Sequence, residues 1–316
     1  MNKSYRSIWN ESLGAWVAAS EITSARGKRS GSSVTAVAAA IGLVIASFGF
    51  APQAGATVIG PTTGCTTGSG TGPDGTTSYG ATANPIDGSG VWSNVAGCSA
   101  NGGNFLGVTL FGSFTTAQGV GATAVGMGSV ANKLATALGH QAQATGITSV
   151  AVGFNARGVG DNSVAMGNAA SAQGVNGIAI GLNANAASVG SSNLAIGWGA
   201  NASGTAAALG DSTAIGTSAK ATGQDSTAVG GQTTASGKNT LAIGNNGTAA
   251  TADGATAFGV SAAASGKNSL AAGNGTVASN TGSIAIGSNL SGVANSAGGG
   301  GIGIGGQWSG VGAAPP

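Results

Sequence analysis

Chemistry in this chain would have to be built from very few groups. A Ser-His-Asp site would have to use His140, the one histidine among 316 residues. That base would need an acid to orient it and a hydroxyl within reach. His140 instead follows Ala137-Leu138-Gly139, as a solvent-facing turn residue would. Two stretches, "ASGKNT" (Ala235 to Thr240) and "ASGKNS" (Ala264 to Ser269), are lysine-bearing glycine turns of the kind that cradle phosphate. A phosphate loop needs a first glycine where Gln232 and Ser261 stand, and Ser or Thr directly after the lysine, where both stretches have Asn. "GVGATAVG" and the glycine run at 298–306 lack the strand–helix–strand setting of a dinucleotide site. Calcium-binding nonapeptides need a regular Asp, and the Asp residues here are scattered. The expectation is therefore no enzyme, no cofactor and no metal.

Composition narrows the partners. The chain has 62 glycines, 41% hydrophobic residues and 6% charged ones. Its first 56 residues hold five cations against two Glu, and the rest holds five cations against six Asp. That nearly uncharged body offers no basic footprint for nucleic acid.

Residues 1–56 read as an export signal. A basic stretch ending Arg26-Gly27-Lys28-Arg29 precedes an apolar run over 34–50, and Ala54 and Ala56 frame a small-residue cleavage site. Export places Cys65 and Cys98 in an oxidising compartment, where an even count is expected to close as a disulfide. The two cysteines fall in a non-repetitive segment, 57–118, expected to cap the N-terminal end of the remaining chain.

From residue 119 the chain is repetitive. Ala-x-Gly recurs with its glycine at 126, 139, 153, 167, 181, 197, 216, 230, 244, 259, 273 and 287. Fourteen residues is the dominant spacing, and further glycines at 146, 160, 174, 204, 223, 237 and 266 lie halfway between many of these phrases, splitting a unit in two. Within a half, Ser163-Val164-Ala165-Met166 alternates with the period of a strand. A strand of about five residues plus a glycine turn makes half a coil, and glycine supplies the positive φ of a tight turn. Stacked coils give an all-β parallel solenoid, a flattened roll of about twelve coils and roughly 55–60 Å.

Two rows compete for the interior. Ala at the centre of each phrase is small enough for a thin core. The flanking row (Val125, Leu138, Val152, Met166, Ile180, Ile196, Ile215, Val229, Ile243, Ile286) would then face outward and need another chain to cover it. With the bulky row inside, the chain could stay monomeric. Spacing alone leaves both arrangements open.

Two motifs carry a resemblance. Asn2, Lys3, Tyr5, Ile8, Trp9, Asn10, Trp16, Val17, Ser20 and Glu21 match the extended signal-peptide region, residues 1–27, of Gram-negative type V secretion proteins. Asn162 to Gly174 and Lys267 to Gly273 resemble the N-S-x-A-x-G-x-x-A-x-A-x-G head coil of the YadA-like trimeric autotransporter adhesins. Residues 119–305 would then be head repeats and 306–316 an irregular tail. The resemblance implies a left-handed parallel β-roll, a homotrimer, passage through the export machinery, display on the outer membrane, and adhesion to host matrix, cells or other surfaces. The sequence contains no D-A-V-N-V-x-Q-L neck, no sustained heptads and no barrel strands, so a truncated gene, a fragment and a released passenger stay open.

Ligand contact is expected at irregularities. Longer spacings at Leu182–Gly190, Trp198–Asp211 and Asn245–Gly254 imply bulging loops, with Trp198 an unusual large aromatic among them. Lys238 and Lys267 occupy matching turns two coils apart. The alternative function is a monomeric solenoid that binds ice or another surface through a Thr/Ser array. It is disfavoured because equivalent positions hold Thr240, Val164, Leu194 and Ile284. An exported enzyme acting through His140 is the third reading.

Overall fold

The computed structural model describes residues 92–187, 192–204, 211–288 and 301–305 continuously, together with residue 76 and strands at 5–10, 15–20, 57–59, 70–71, 78–79 and 296–297. The chain divides into Met1–Pro52 and Gln53–Pro316. In the first unit, Tyr5–Asn10 and Ala15–Ser20 form an antiparallel hairpin with Trp9 opposite Trp16 and Ile8 opposite Val17. The expected apolar core at 34–50 and cleavage residues Ala54 and Ala56 lie outside the described residues.

The second unit is a parallel β-solenoid of about fourteen turns, with no helix among the described residues. From Thr109 onward wide and narrow strands alternate, in a wide sheet of 16 strands and a narrow sheet of 13. Most wide strands have three residues, such as Val150–Val152, and narrow ones two, such as Ser171–Ala172. These are shorter than the five expected, because the turns take up the remaining residues. The ladder is in register: Ala151 pairs with Ala165, Ala165 with Ala179, and Ala179 with Ala195.

The register resolves the choice between rows. Ala137, Ala151, Ala165, Ala179, Ala195, Ala214, Ala228, Ala242, Ala257, Ala271 and Ala285 are fully buried. So are the narrow-sheet alanines Ala144, Ala172, Ala186, Ala202, Ala221, Ala235, Ala250, Ala264 and Ala278. Two sheets this close leave room for one methyl per position, and a Cβ branch would overfill it.

The boundary expected at residue 119 moves. Thr109–Phe111 pairs in parallel with Thr123–Val125, and Asn94–Ala96 with Thr109–Phe111. Roll geometry therefore already holds at 94–117. The signature was hidden because Val95 and Leu110 take the inward position that alanine fills elsewhere. With Val108 they are the core's non-alanine apolar residues among the described residues, and Phe105 packs against this cluster. Cys98 lies in one of these early turns and is disulfide-bonded. Cys65 lies outside the described residues.

Glycine plays two roles where one was expected. Gly153 has φ +131°, and a Cβ there would lie 2.6 Å from the Gly167 carbonyl oxygen. Gly160 has no positive φ, but a Cβ would lie 2.0 Å from the Gly174 oxygen. Close stacking on the next coil therefore excludes a side chain at Gly160, although Asn132, Ala252 and Asn280 hold the equivalent position in other coils. The left-handed residue on that edge is Asn at 162, 176, 239 and 268, which tolerates that region better than most residues, and Leu134, Thr148 or Asp225 in other coils. Buried hydroxyls close the turns: Ser149 Oγ donates to the Gly146 carbonyl and Thr240 Oγ1 to that of Gly237, both at 2.8 Å.

Irregular spacings are absorbed in the turns. The one-residue excess after Asn245 does not bulge: Ala249–Ala250 keeps its pairing to Thr234–Ala235, and Thr248 Oγ1 donates to the Asn245 carbonyl at 2.9 Å. The one-residue shortfall after Ala131 is bridged by Asn132, whose side chain donates to the Thr145 carbonyl and accepts from Lys133 N, both at 2.8 Å. The longer insertions fall at 188–191 and 205–210, outside the described residues, while Asn185–Ala186, Asn201–Ala202 and Lys220–Ala221 stay in register around them.

Candidate adhesive surface

A coil presents four surfaces to its surroundings: the outer faces of the two sheets and the two turn edges. The alternation of a strand assigns each residue to one of them.

The wide sheet is apolar outside. Val152 pairs with Met166, then Ile180, Ile196, Ile215, Val229, Ile243 and Phe258 follow in unbroken register. Phe111, Val125 and Leu138 extend the row towards the N-terminus, and Ile286 and Ile304 continue it past Ala272. Phe258 is 52% exposed and Met166 41%. A second outward column beside it holds Val150, Val164, Ile178, Leu194, Leu241, Leu270 and Ile284, half-buried, with Thr at 123, 136, 213, 227 and 256. Thr240, expected in that column, lies one residue before it and is buried. Thr residues thus come singly or in pairs between branched apolar residues, and no Thr array runs the length of the sheet.

The narrow sheet is polar outside over its middle coils. Gln143, Arg157, Ser171, Asn185, Asn201, Lys220 and Thr234 succeed one another along it. Over these coils the two broad faces therefore contrast, one polar and the other an apolar strip, while Val130, Ala249, Ala263 and Val277 take the outward narrow position on either side.

The predicted contact residues sit on the turn edges, not together. Trp198 is 59% exposed on the edge that leaves the wide strands. Its carbonyl accepts the Ser218 N–H at 2.7 Å, so its backbone is part of the coil ladder. Lys238 and Lys267 are exposed on the opposite edge. Asp253 stands between them on the intervening coil, and its carboxylate accepts the Lys238 backbone N–H at 2.9 Å. The pair is therefore a plus–minus–plus stripe, weaker in net field than two stacked cations. Asp161 makes the same bond to Ile147 N–H at 2.7 Å, so carboxylates here serve the turns. Aligning the repeats on the glycines of Ala-x-Gly, at 244, 259 and 273, would have placed Asp253 between the lysines, since each of the three precedes its glycine by the same interval.

His140 lies on the Trp198 edge with its ring stacked on Phe154, centroids 5.4 Å apart and planes 4° from parallel. Its nearest ring partner is thus a hydrocarbon. Among the described residues no group of three His, Cys, Asp or Glu side chains could hold a metal ion. The arrangement has flat surfaces and repetition, which suit multivalent contact with another macromolecule.

Comparisons with known families agree with this architecture. Residues 1–50 match the extended signal peptide of the type V secretion system. The YadA head domain repeat matches over 111–132, 133–156, 159–184, 210–246 and 250–289. No curated protein matches the chain.

Proposed function

The chain belongs to the YadA-like trimeric autotransporter adhesins and is exported by type V secretion, and from that premise we propose that its roll is the binding head of a homotrimeric adhesin. The signal is cleaved near Ala56, and the head attaches bacteria to host matrix, cells or other surfaces without catalysis. Display at the cell surface follows from the family.

One observation carries the reading: the wide sheet's outer face is an apolar ladder running from Phe111 to Ile286. A contiguous apolar strip of that length is a protein interface in an exported protein. Three left-handed rolls set around a threefold axis would bury their wide sheets against one another. The narrow sheets and part of the edges would then face outward, each residue present three times. Weak contacts to a repetitive matrix gain by that multiplicity.

The direct test is saturable binding of the purified protein to immobilised extracellular-matrix preparations, beside a Met166→Asp variant that disrupts assembly. Saturable binding that weakens at least tenfold in the variant supports an oligomeric adhesin. Binding no greater than to bare plastic, across matrix and cell-surface preparations, overturns the adhesive role.

A further inference from the structure

The two turn edges change character together along the roll. On the edge entering the wide strands, Val120, Ile147 and Val175 are exposed apolar residues, at 36%, 43% and 41%. On the edge leaving them, Phe154, Leu182 and Trp198 are exposed, with His140 stacked on Phe154. Lys133 and Asp161 interrupt the first row and Asn168 the second. Beyond residue 211 both edges turn polar. The first carries Gln224, Lys238, Asp253 and Lys267, and the second Thr217, Asn245 and Asn274, with Val260 its one large apolar residue.

The coil itself does not require this change. The entering turn is held by Asn162 N–H donating to the Ile147 carbonyl in the apolar half, and by Asn239 N–H donating to that of Gln224 in the polar half, both at 2.8 Å. The side chains at these edge positions point away from the alanine core. Their apolarity therefore answers to something outside the chain.

We propose that in the assembled head the edge leaving the wide strands on one copy seats against the edge entering them on the next, closing the corners over residues 120–198. This rests on the homotrimer reading and names its second interface. The occupant follows from symmetry. In a closed ring of three every contact is heterologous, so each chain must carry two different surfaces that meet at the same level along the axis. The apolar residues of the two edges fall on the same coils, Ile147 with Phe154 and Val175 with Leu182, the interruptions Asp161 and Asn168 share a coil, and both edges flank the apolar sheet face. A foreign ligand would require only one such edge. Over 211–281 the corners are hydrated, which leaves Lys238, Asp253 and Lys267 open to solvent.

The test places cysteines at both edges of one coil in the full chain: Ile147→Cys with Phe154→Cys. Within one chain these positions flank the Val150–Val152 strand, too far apart for a disulfide, which needs Cα atoms within about 7 Å. Oxidation should convert the double variant to covalent dimers and trimers that reductant releases, while each single variant gives none. A double variant that stays uncrosslinked at a native mass of three chains overturns the edge pairing and leaves the trimer standing. A wild-type native mass of one chain would instead remove the trimer reading on which the pairing rests.

Discussion

A single added methyl at Gly153 would meet two obstacles. Its φ of +131° is one that side chains rarely adopt, and the Gly167 oxygen would lie 2.6 Å from the new Cβ. Gly153→Ala is therefore expected to lower stability by about 2–3 kcal/mol, the scale of one strained backbone position. Chemical unfolding followed by far-ultraviolet circular dichroism would measure it, and an unchanged midpoint would contradict the stacking argument. The spacing of glycines made a turn legible in the sequence, but not the cause of each glycine. Gly153 and Gly160 look alike as letters. One is required by φ together with contact, the other by contact alone, and only the approach of the next coil separates them. Trp198, Lys238 and Lys267 were legible as exposed, because large or charged side chains cannot enter an alanine core. The carboxylate of Asp253 between the lysines was not, because it needs coils to be laid in register.

At the scale of the coil, the unit is self-contained in its pairing. Each wide strand pairs only with the wide strands of the coils before and after it, so stability is close to a sum over neighbours. Removing residues 157–170, one full coil, should leave Ala151 facing Ala179 and a protein with the same circular dichroism spectrum. Removing only 157–163 would push Val164–Met166 into the narrow sheet and reverse the faces of every later coil. That half-coil deletion should be insoluble or unfold far earlier, and equal behaviour of the two deletions would contradict the fourteen-residue unit. The period of Ala-x-Gly was enough to read the parallel roll. The first coils were missed because Val95 and Leu110 stand where Ala does elsewhere. A core thick enough for Leu110 there no longer selects the methyl that made the repeat visible.

For the head as a whole, the contrast between its faces is the property that links fold to function. Alanine inside forces the larger residues outward, and the wide sheet then presents Met166, Ile180, Ile196 and Ile215 in one line. At roughly 25 cal/mol per Å² of apolar surface removed from water, covering such a strip is a strong drive to associate. The sequence left the inward row open, since alternation names two faces without saying which is inside. Full burial of the alanine column decides it. The decisive measurement is the native mass of the purified protein by light scattering after size-exclusion chromatography. Three times the mass of one chain, falling to one in Met166→Asp, is the predicted result. A folded, monodisperse single chain in the wild type would mean that the apolar ladder stands in water, and the trimeric head would not be the functional form.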